Sequence, residues 1–488
     1  MARSKQREIM LSVDEGSLEP LYRQIYRQVS GAIVDGSLAA GDRLPSIRKL
    51  CGHLGVSHTT VEQAYLQLAV EGYVRNMARS GYVVEKLDTG FLQMTRDSTI
   101  EKNVQRSVES RSQDAFFAEN LQGGQALYDF SYANLPDDSF PVKTWYRLVG
   151  EMLHSSVIPE LGRYAYTSEP NELSRQICAY LKRARGVDCV PEQVIPQSGT
   201  DGSLATVFQL FSREHHTVGL EEPGYATVSE VAQRMGFGLV PLPSDCGMDA
   251  YFEALERYRP KIVFCTPSHQ FPTGRIMAID ARTRLLKWAQ QNNAYIIEDD
   301  SCNEYRYETA PIPSLQSLDA YSRVIYMCNV SKVLSPSMRV AYLVLPPKLL
   351  GRYFRLFNYA HPSIPWLEQE VLARFMAEGY WDQHIRRMTK LMRKRHDALL
   401  SGLTDAFGDS IRISGQHSGM HLYVSVPNGM TQQELISSAR REGAAVYGTQ
   451  RMWFSRSAPE ESLMVGFSSI KPEDIPAGVE ALARAWRR

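Results

Sequence analysis

Asp299, Lys332 and Arg339 stand in an order that suits one kind of chemistry. An apolar run, Tyr295-Ile296-Ile297, ends abruptly in three acids, Glu298, Asp299 and Asp300. A second run, Val324 to Met327, leads to Ser331-Lys332, and Arg339 follows seven residues later. A buried lysine amine attacks carbonyl carbon to form a Schiff base. A carboxylate in the same place holds a pyridinium nitrogen, and a guanidinium grips phosphate as a fork. Each residue alone would more often be an ordinary surface charge. The ordered set rarely arises by chance.

Positioning these groups takes strands that end at one edge. Both runs read as buried parallel strands whose C-terminal ends carry the polar residues, the edge where open α/β sheets place ligands. Ser198-Gly199-Thr200 precedes a helix with Leu204, Val207, Phe208 and Phe211 on one face. The free N–H groups of its first turn suit a phosphate, although an ordinary capped helix reads the same way. Tyr225 follows Pro223-Gly224 at another strand end, and Thr266-Pro267-Ser268-His269-Gln270-Phe271-Pro272-Thr273-Gly274 forms a tight turn whose shape Pro and Gly fix.

Together these stretches resemble fold-type I pyridoxal-phosphate (PLP) proteins, the aspartate aminotransferase superfamily. The resemblance implies that Lys332 forms the PLP aldimine, that Asp299 pairs with the ring nitrogen and that Arg339 binds phosphate. It further implies that Ser198, Gly199 and Thr200 cup the phosphate, that Tyr225 stacks on the ring, and that the turn bearing His269 lies beside the phenolic oxygen. Several positions depart from the superfamily's pattern. Ser301 stands where a Tyr usually donates to the phenolic oxygen, Cys328 and Asn329 replace a Gly-Thr pair before the lysine, and Asp201 replaces a Gln near the phosphate. The strand before Gly466, where aminotransferases carry a carboxylate-binding arginine, reads Glu461-Ser462-Leu463-Met464, with Arg451 and Arg456 nearby.

The first 86 residues have a different organisation. Leu21, Ile25, Val29 and Ile33 keep helical spacing up to Gly36. A short helix is expected from Ser46 to Leu54, then a turn at Gly55-Val56-Ser57, then a third helix capped by Ser57. Two β-like runs follow, Gly72 to Val74 and Gly81 to Val84. Helix, helix-turn-helix and hairpin make a winged helix-turn-helix, and the wording from Pro20 to Tyr73 resembles GntR-type domains. Such docking sets Ser57, His58, Thr59 and Thr60 against base edges. Arg48 and Lys49, with Arg75 and Arg79 on the wing, are then placed for phosphates, which position the domain without reading sequence, and Ser46 is a further DNA-binding candidate. In GntR-type domains an Arg commonly follows the capping Ser, so His58 alters the expected base preference.

From 87 to 126 the chain loses periodicity and reads as a flexible linker, followed by an aminotransferase-like domain over 127–488. The fusion, with Tyr128-Asp129-Phe130, Phe140-Pro141, Gly419-Met420-His421 and Gly466-Phe467, resembles MocR-type transcriptional regulators. The expected fold is α/β, a winged helix joined to a fold-type I PLP domain. The resemblance implies a cytoplasmic homodimer that binds double-stranded operator DNA and responds to an amino acid, an amine or PLP itself. The rivals are a working aminotransferase with an added DNA-binding domain and a regulator whose pocket has lost PLP. A net charge of zero, 43% hydrophobic residues and 488 residues fit a globular chain of more than one domain. Seven scattered cysteines without a CxxC pair suit neither a disulfide framework nor a metal site, and no run reaches the ~20 apolar residues of a membrane span.

Overall fold

The computed structural model describes residues 10–77, 81–87, 126–132, 134–154, 162, 164, 170–211, 216–307 and 312–487. The expected linker, but for its ends, and Arg79 on the expected wing lie outside the described residues. The chain divides into two compact units, Met1–Asn120 and Leu121–Arg488.

In the first unit, α1 (Leu21–Val34) buries Ile25, Val29 and Ile33. α2 (Ile47–Leu54) begins at Ser46, whose hydroxyl accepts from the Lys49 N–H, and ends at Gly55 with φ 71°. α3 (His58–Val70) begins at Ser57, whose hydroxyl accepts from the Thr60 N–H. Each such cap is worth ~1 kcal/mol and fixes where its helix starts. β1 (Val74–Met77) and β2 (Gly81–Val84) form an antiparallel hairpin, so the first wing strand starts where the expected run from Gly72 ended. Ile25, Val29, Leu50, Val61, Tyr65, Leu68, Val74 and Val84 close one small core. This is the expected winged helix.

The second unit opens with β3 (Tyr128–Asp129), α4 (Val142–His154) and α5 (Glu172–Arg185). Strands and helices then alternate: β4 (Val194–Ser198), α6 (Gly199–Gln209), β5 (Thr217–Glu222), α7 (Ala226–Arg234), β6 (Gly238–Pro243), α8 (Met248–Tyr258), β7 (Ile262–Cys265) and α9 (Ile279–Gln291). β8 (Tyr295–Asp299), β9 (Val324–Asn329) and β10 (Val340–Val344) complete a seven-stranded sheet in the order β4-β10-β9-β8-β7-β5-β6. Only β10 runs antiparallel to its neighbours. β8 and β9 pair in parallel, Asp299 opposite Met327, as their apolar runs require. The C-terminal ends of β4, β5, β7, β8 and β9 therefore share one rim.

After α10 (Pro347–Leu356) and α11 (Trp366–Ala377), the 28-residue α12 (Tyr380–Phe407) buries Met388, Met392, Leu399 and Leu403 along one side. It leads to a four-stranded antiparallel sheet of β11 (Arg412–Ser414), β12 (His421–Ser425), β14 (Tyr447–Gly448) and β15 (Ser462–Gly466). α13 (Gln432–Arg441) and α14 (Ile475–Trp486) accompany that sheet, and β13 (Ala444–Ala445) pairs with β3. No described helix is long and apolar enough to cross a membrane.

Candidate cofactor site and DNA-reading surface

The rim of the large sheet collects the residues that the sequence singled out. Lys332 lies in the turn after β9, where the Lys332 N–H meets the Asn329 side-chain oxygen at 3.4 Å and the Tyr305 hydroxyl donates to the Lys332 carbonyl at 2.8 Å. The next carbonyl, of Val333, is bonded by buried His384 at 2.8 Å. The lysine is thus held by its own backbone, which leaves the amine to the pocket. That amine donates to the Tyr132 hydroxyl and lies 4.8 Å from the Tyr132 ring centroid. Burial opposes its charge, but Cys302, Tyr132 and Asp299 together hold its proton well above the ordinary lysine range.

Asp299 ends β8 with its carboxylate buried beside this amine. One oxygen, Oδ1, accepts from both the Ser301 N–H at 2.9 Å and the Ser301 hydroxyl at 2.5 Å. The Asn329 amide in turn donates to the Ser301 hydroxyl at 2.8 Å. Ser301 and Asn329, two of the departures from the superfamily pattern, therefore form a relay that fixes Asp299. Burial raises the Asp299 carboxyl, while the Lys332 ammonium and the Ser301 donors pull it back. Ser301 stands where the superfamily's Tyr donates to the phenolic oxygen, and its hydroxyl is committed to Asp299 and Asn329.

Asp300 points away from the pocket. It takes a forked pair from Arg185, Nε to Oδ2 at 2.6 Å and Nη2 to Oδ1 at 3.0 Å, with the Tyr326 hydroxyl also on Oδ2 at 2.8 Å. This pair is fully desolvated, and removing one partner would strand the other charge. It ties α5 to the end of β8. Glu298, two residues before Asp300 and like it turned away from the pocket, accepts the Leu315 and Gln316 N–H groups. Of three successive acids, one serves the pocket and two brace it.

A phosphate would meet the start of α6. Among the described residues the N-cap Ser198 makes no side-chain cap bond, so the first N–H groups of that helix suit a ligand. Gly199 has φ 68°, and a Cβ there would stand 2.5 Å from Arg339 Nη2, so only glycine lets the guanidinium lie across the helix start. The Ser331 hydroxyl, next to Lys332, is buried without a protein partner. Thr200 is buried on the same turn, while Asp201 is exposed to solvent. Cradle, orphaned hydroxyl, cation and buried carboxylate fit the phosphate and pyridine ends of PLP.

Aromatic and imidazole groups wall the remaining side. Tyr225, at the start of α7, meets Phe271 edge-on at 5.7 Å, and Phe271 lies 5.3 Å from Tyr132. His269 bonds Ser418 at 2.9 Å, and His421 donates from Nε2 to the Pro272 carbonyl at 2.7 Å. The other nitrogen of each ring is buried without a partner. Burial keeps both neutral, His421 being lowered to about 4. Sequence reasoning missed Tyr132 and gave His421 and Arg185 no role. Tyr132 lies 200 residues before Lys332, and no local spacing announces the pair.

In the winged helix, Arg48 and Lys49 at the start of α2 and Ser57, His58 and Thr59 at the start of α3 are exposed. The Thr60 hydroxyl pairs with Ser57 Oγ at 2.8 Å, His58 approaches Glu62 at 3.6 Å, and Arg75 pairs with Glu85 at 3.1 Å. His58 and Thr59 are thus the side chains presented outward at the helix start, and Thr60 spends its hydroxyl on the cap. Arg451 and Arg456, the arginines near the second sheet, pair with Glu230 at 2.7 Å and Asp245 at 2.5 Å.

Residues 131–482 match the family "Aminotransferase class I and II", and residues 21–84 match "Bacterial regulatory proteins, gntR family". The uncharacterized HTH-type transcriptional regulator YdeL of Bacillus subtilis is 35% identical over 96% of this chain and 97% of its own length. The probable rhizopine catabolism regulatory protein MocR of Rhizobium meliloti is 32% identical over 98% of this chain and 96% of its own. LysN, an α-aminoadipate aminotransferase from Thermus thermophilus solved with N-(5'-phosphopyridoxyl)-L-leucine, superposes with a TM-score of 0.67 at 27% identity, covering 76% of this chain and 94% of that one. With both modules present and near full-length coverage by such relatives, the chain belongs to the MocR-type family of transcriptional regulators, in which a GntR-type DNA-binding domain is fused to an aminotransferase-like, pyridoxal-phosphate-dependent domain.

Proposed function

We propose that this regulator reads an amine-bearing effector at Lys332 and reports it as a change in operator affinity. The carrying observation is the buried Lys332 amine beside the fixed Asp299 carboxylate, on the same sheet rim where α6 starts uncapped with Arg339 across it. When bound, PLP supplies an aldehyde carbon with which primary amines exchange, so lysine and effector compete for one position. Asp299 holds the pyridine nitrogen, Arg339 and the α6 N–H groups hold the phosphate, and Tyr225 with Phe271 covers the ring. His58 and Thr59 read bases, while Arg48 and Lys49 hold phosphates. The chain acts as a homodimer, as two-fold operators require of paired winged helices.

The test joins spectroscopy to DNA binding. Purified protein with PLP should gain a visible absorption band that borohydride fixes on the peptide containing Lys332, and Lys332→Ala should lose it. The effector is then the amine that both alters this band and shifts operator affinity in a gel or anisotropy titration. A label on another lysine ends the assignment. Rapid multiple turnover with a common amino acid would replace the sensor reading with that of an enzyme.

A further inference from the structure

The Ser301 hydroxyl is spent on Asp299 and Asn329, and the hydroxyl that meets the Lys332 amine is that of Tyr132. The Tyr132 side chain is inserted between Phe271, at 5.3 Å, and His421, at 4.8 Å, with its oxygen on Lys332 Nζ. Its backbone is pinned from both sides. Phe130 donates to the Ala445 carbonyl at 3.0 Å and accepts from the Gly466 N–H at 2.8 Å, and Ser131 bonds Ser469 at 3.0 Å. A Cβ at Gly466 would stand 2.1 Å from the Ser131 carbonyl oxygen, so the segment passes over β15 only because that residue is glycine. The second sheet thus delivers a hydroxyl to a lysine carried by the first.

We propose that Tyr132 is the positioning partner of Lys332: its hydroxyl holds the ε-amine in place and in its protonated form. The inference rests on the reading of Lys332 as the reactive lysine but adds a residue to which that reading gave no role. The other groups facing the amine are Asp299 from β8, Cys302 just after it, and the buried His269 and His421, both of which sense the lysine's charge. The imidazoles are neutral at neutral pH, so Asp299 supplies the charge and Tyr132 the directed hydrogen bond. Without the hydroxyl, the ammonium form loses an acceptor in a dry site and gives up its proton at lower pH.

The test uses the full chain without PLP. Pulsed acetic-anhydride labelling from pH 7 to 12, read at the Lys332 peptide by mass spectrometry, gives the pH midpoint of the amine. Tyr132→Phe keeps the ring against Phe271 and His421, and should lower that midpoint by ~1–2 units for one lost hydrogen bond to a charged group. Tyr305→Phe removes the hydroxyl on the Lys332 carbonyl instead and should leave the midpoint in place. Tyr132→Leu, a smaller side chain, gives the same reading if the Phe variant does not fold. An unmoved midpoint in both Tyr132 variants, or an equal fall in Tyr305→Phe, overturns the proposal. The absorption band of the PLP-loaded protein tests the functional reading separately: its absence would sink that reading while the labelling still decides Tyr132.

Discussion

Ser301→Ala tests whether the relay onto Asp299 sets cofactor affinity. The substitution removes a 2.5 Å hydroxyl donor from the carboxylate and strands the Asn329 amide that now donates to that hydroxyl. The Ser301 backbone N–H bond, at 2.9 Å, is retained. A hydrogen bond to a charged group is worth ~1.5–3 kcal/mol, so PLP should bind about 10- to 100-fold more weakly. The pH dependence carries the sign. Burial already raises the Asp299 carboxyl, and Ser301 is among the groups that lower it, so losing the hydroxyl raises it further. Asp299 is ionised only above that pKa, so affinity falls as pH drops through it, and the fall should begin at higher pH in the variant. The assay is an absorbance titration of apoprotein with PLP across pH 5 to 8. Equal dissociation constants and superimposable pH profiles would refute the relay.

Other perturbations address separate links. Arg339→Ala should weaken PLP by about 10- to 100-fold through loss of a charge-assisted pair, measured in the same titration. Glu304 is half-buried with one carboxylate oxygen fully buried and unpartnered, and desolvation raises it to about 7. A raised carboxyl stabilises the fold below its unfolded value and loses that contribution as pH rises through 7, a change of ~3 kcal/mol. Glu304→Gln should therefore flatten the melting-temperature profile between pH 4.5 and 7 and raise the melting temperature at pH 8; an unchanged slope would contradict this. Arg48→Ala should weaken binding to all DNA sequences and reduce the salt slope by ~1 if it contacts one phosphate. His58→Ala or Thr59→Ala should instead change which operator bases are preferred, as binding-site selection would reveal.

Much of this protein was written locally in the sequence. The caps at Ser46 and Ser57, the turn at Gly55 and the apolar spacing of α1 and α3 are signals within one or two helical turns, and the winged helix follows from them. The two apolar runs ending at Asp299 and before Lys332 gave the parallel pair and the rim, because full burial on both faces leaves a strand no alternation. What each polar side chain does at that rim was not legible. Asp299 and Asp300 are adjacent, yet alternation along the strand sends one to the pocket and the other to Arg185. Ser301 could be recognised as a departure, but its partner Asn329 comes from a neighbouring strand. Tyr132 reaches Lys332 only because Gly466 lets one segment cross another strand at backbone contact. Periodicity, caps and strand-end chemistry act over a few residues. Contacts spanning 200 residues depend on how two sheets pack, and that was decided by the tertiary structure alone.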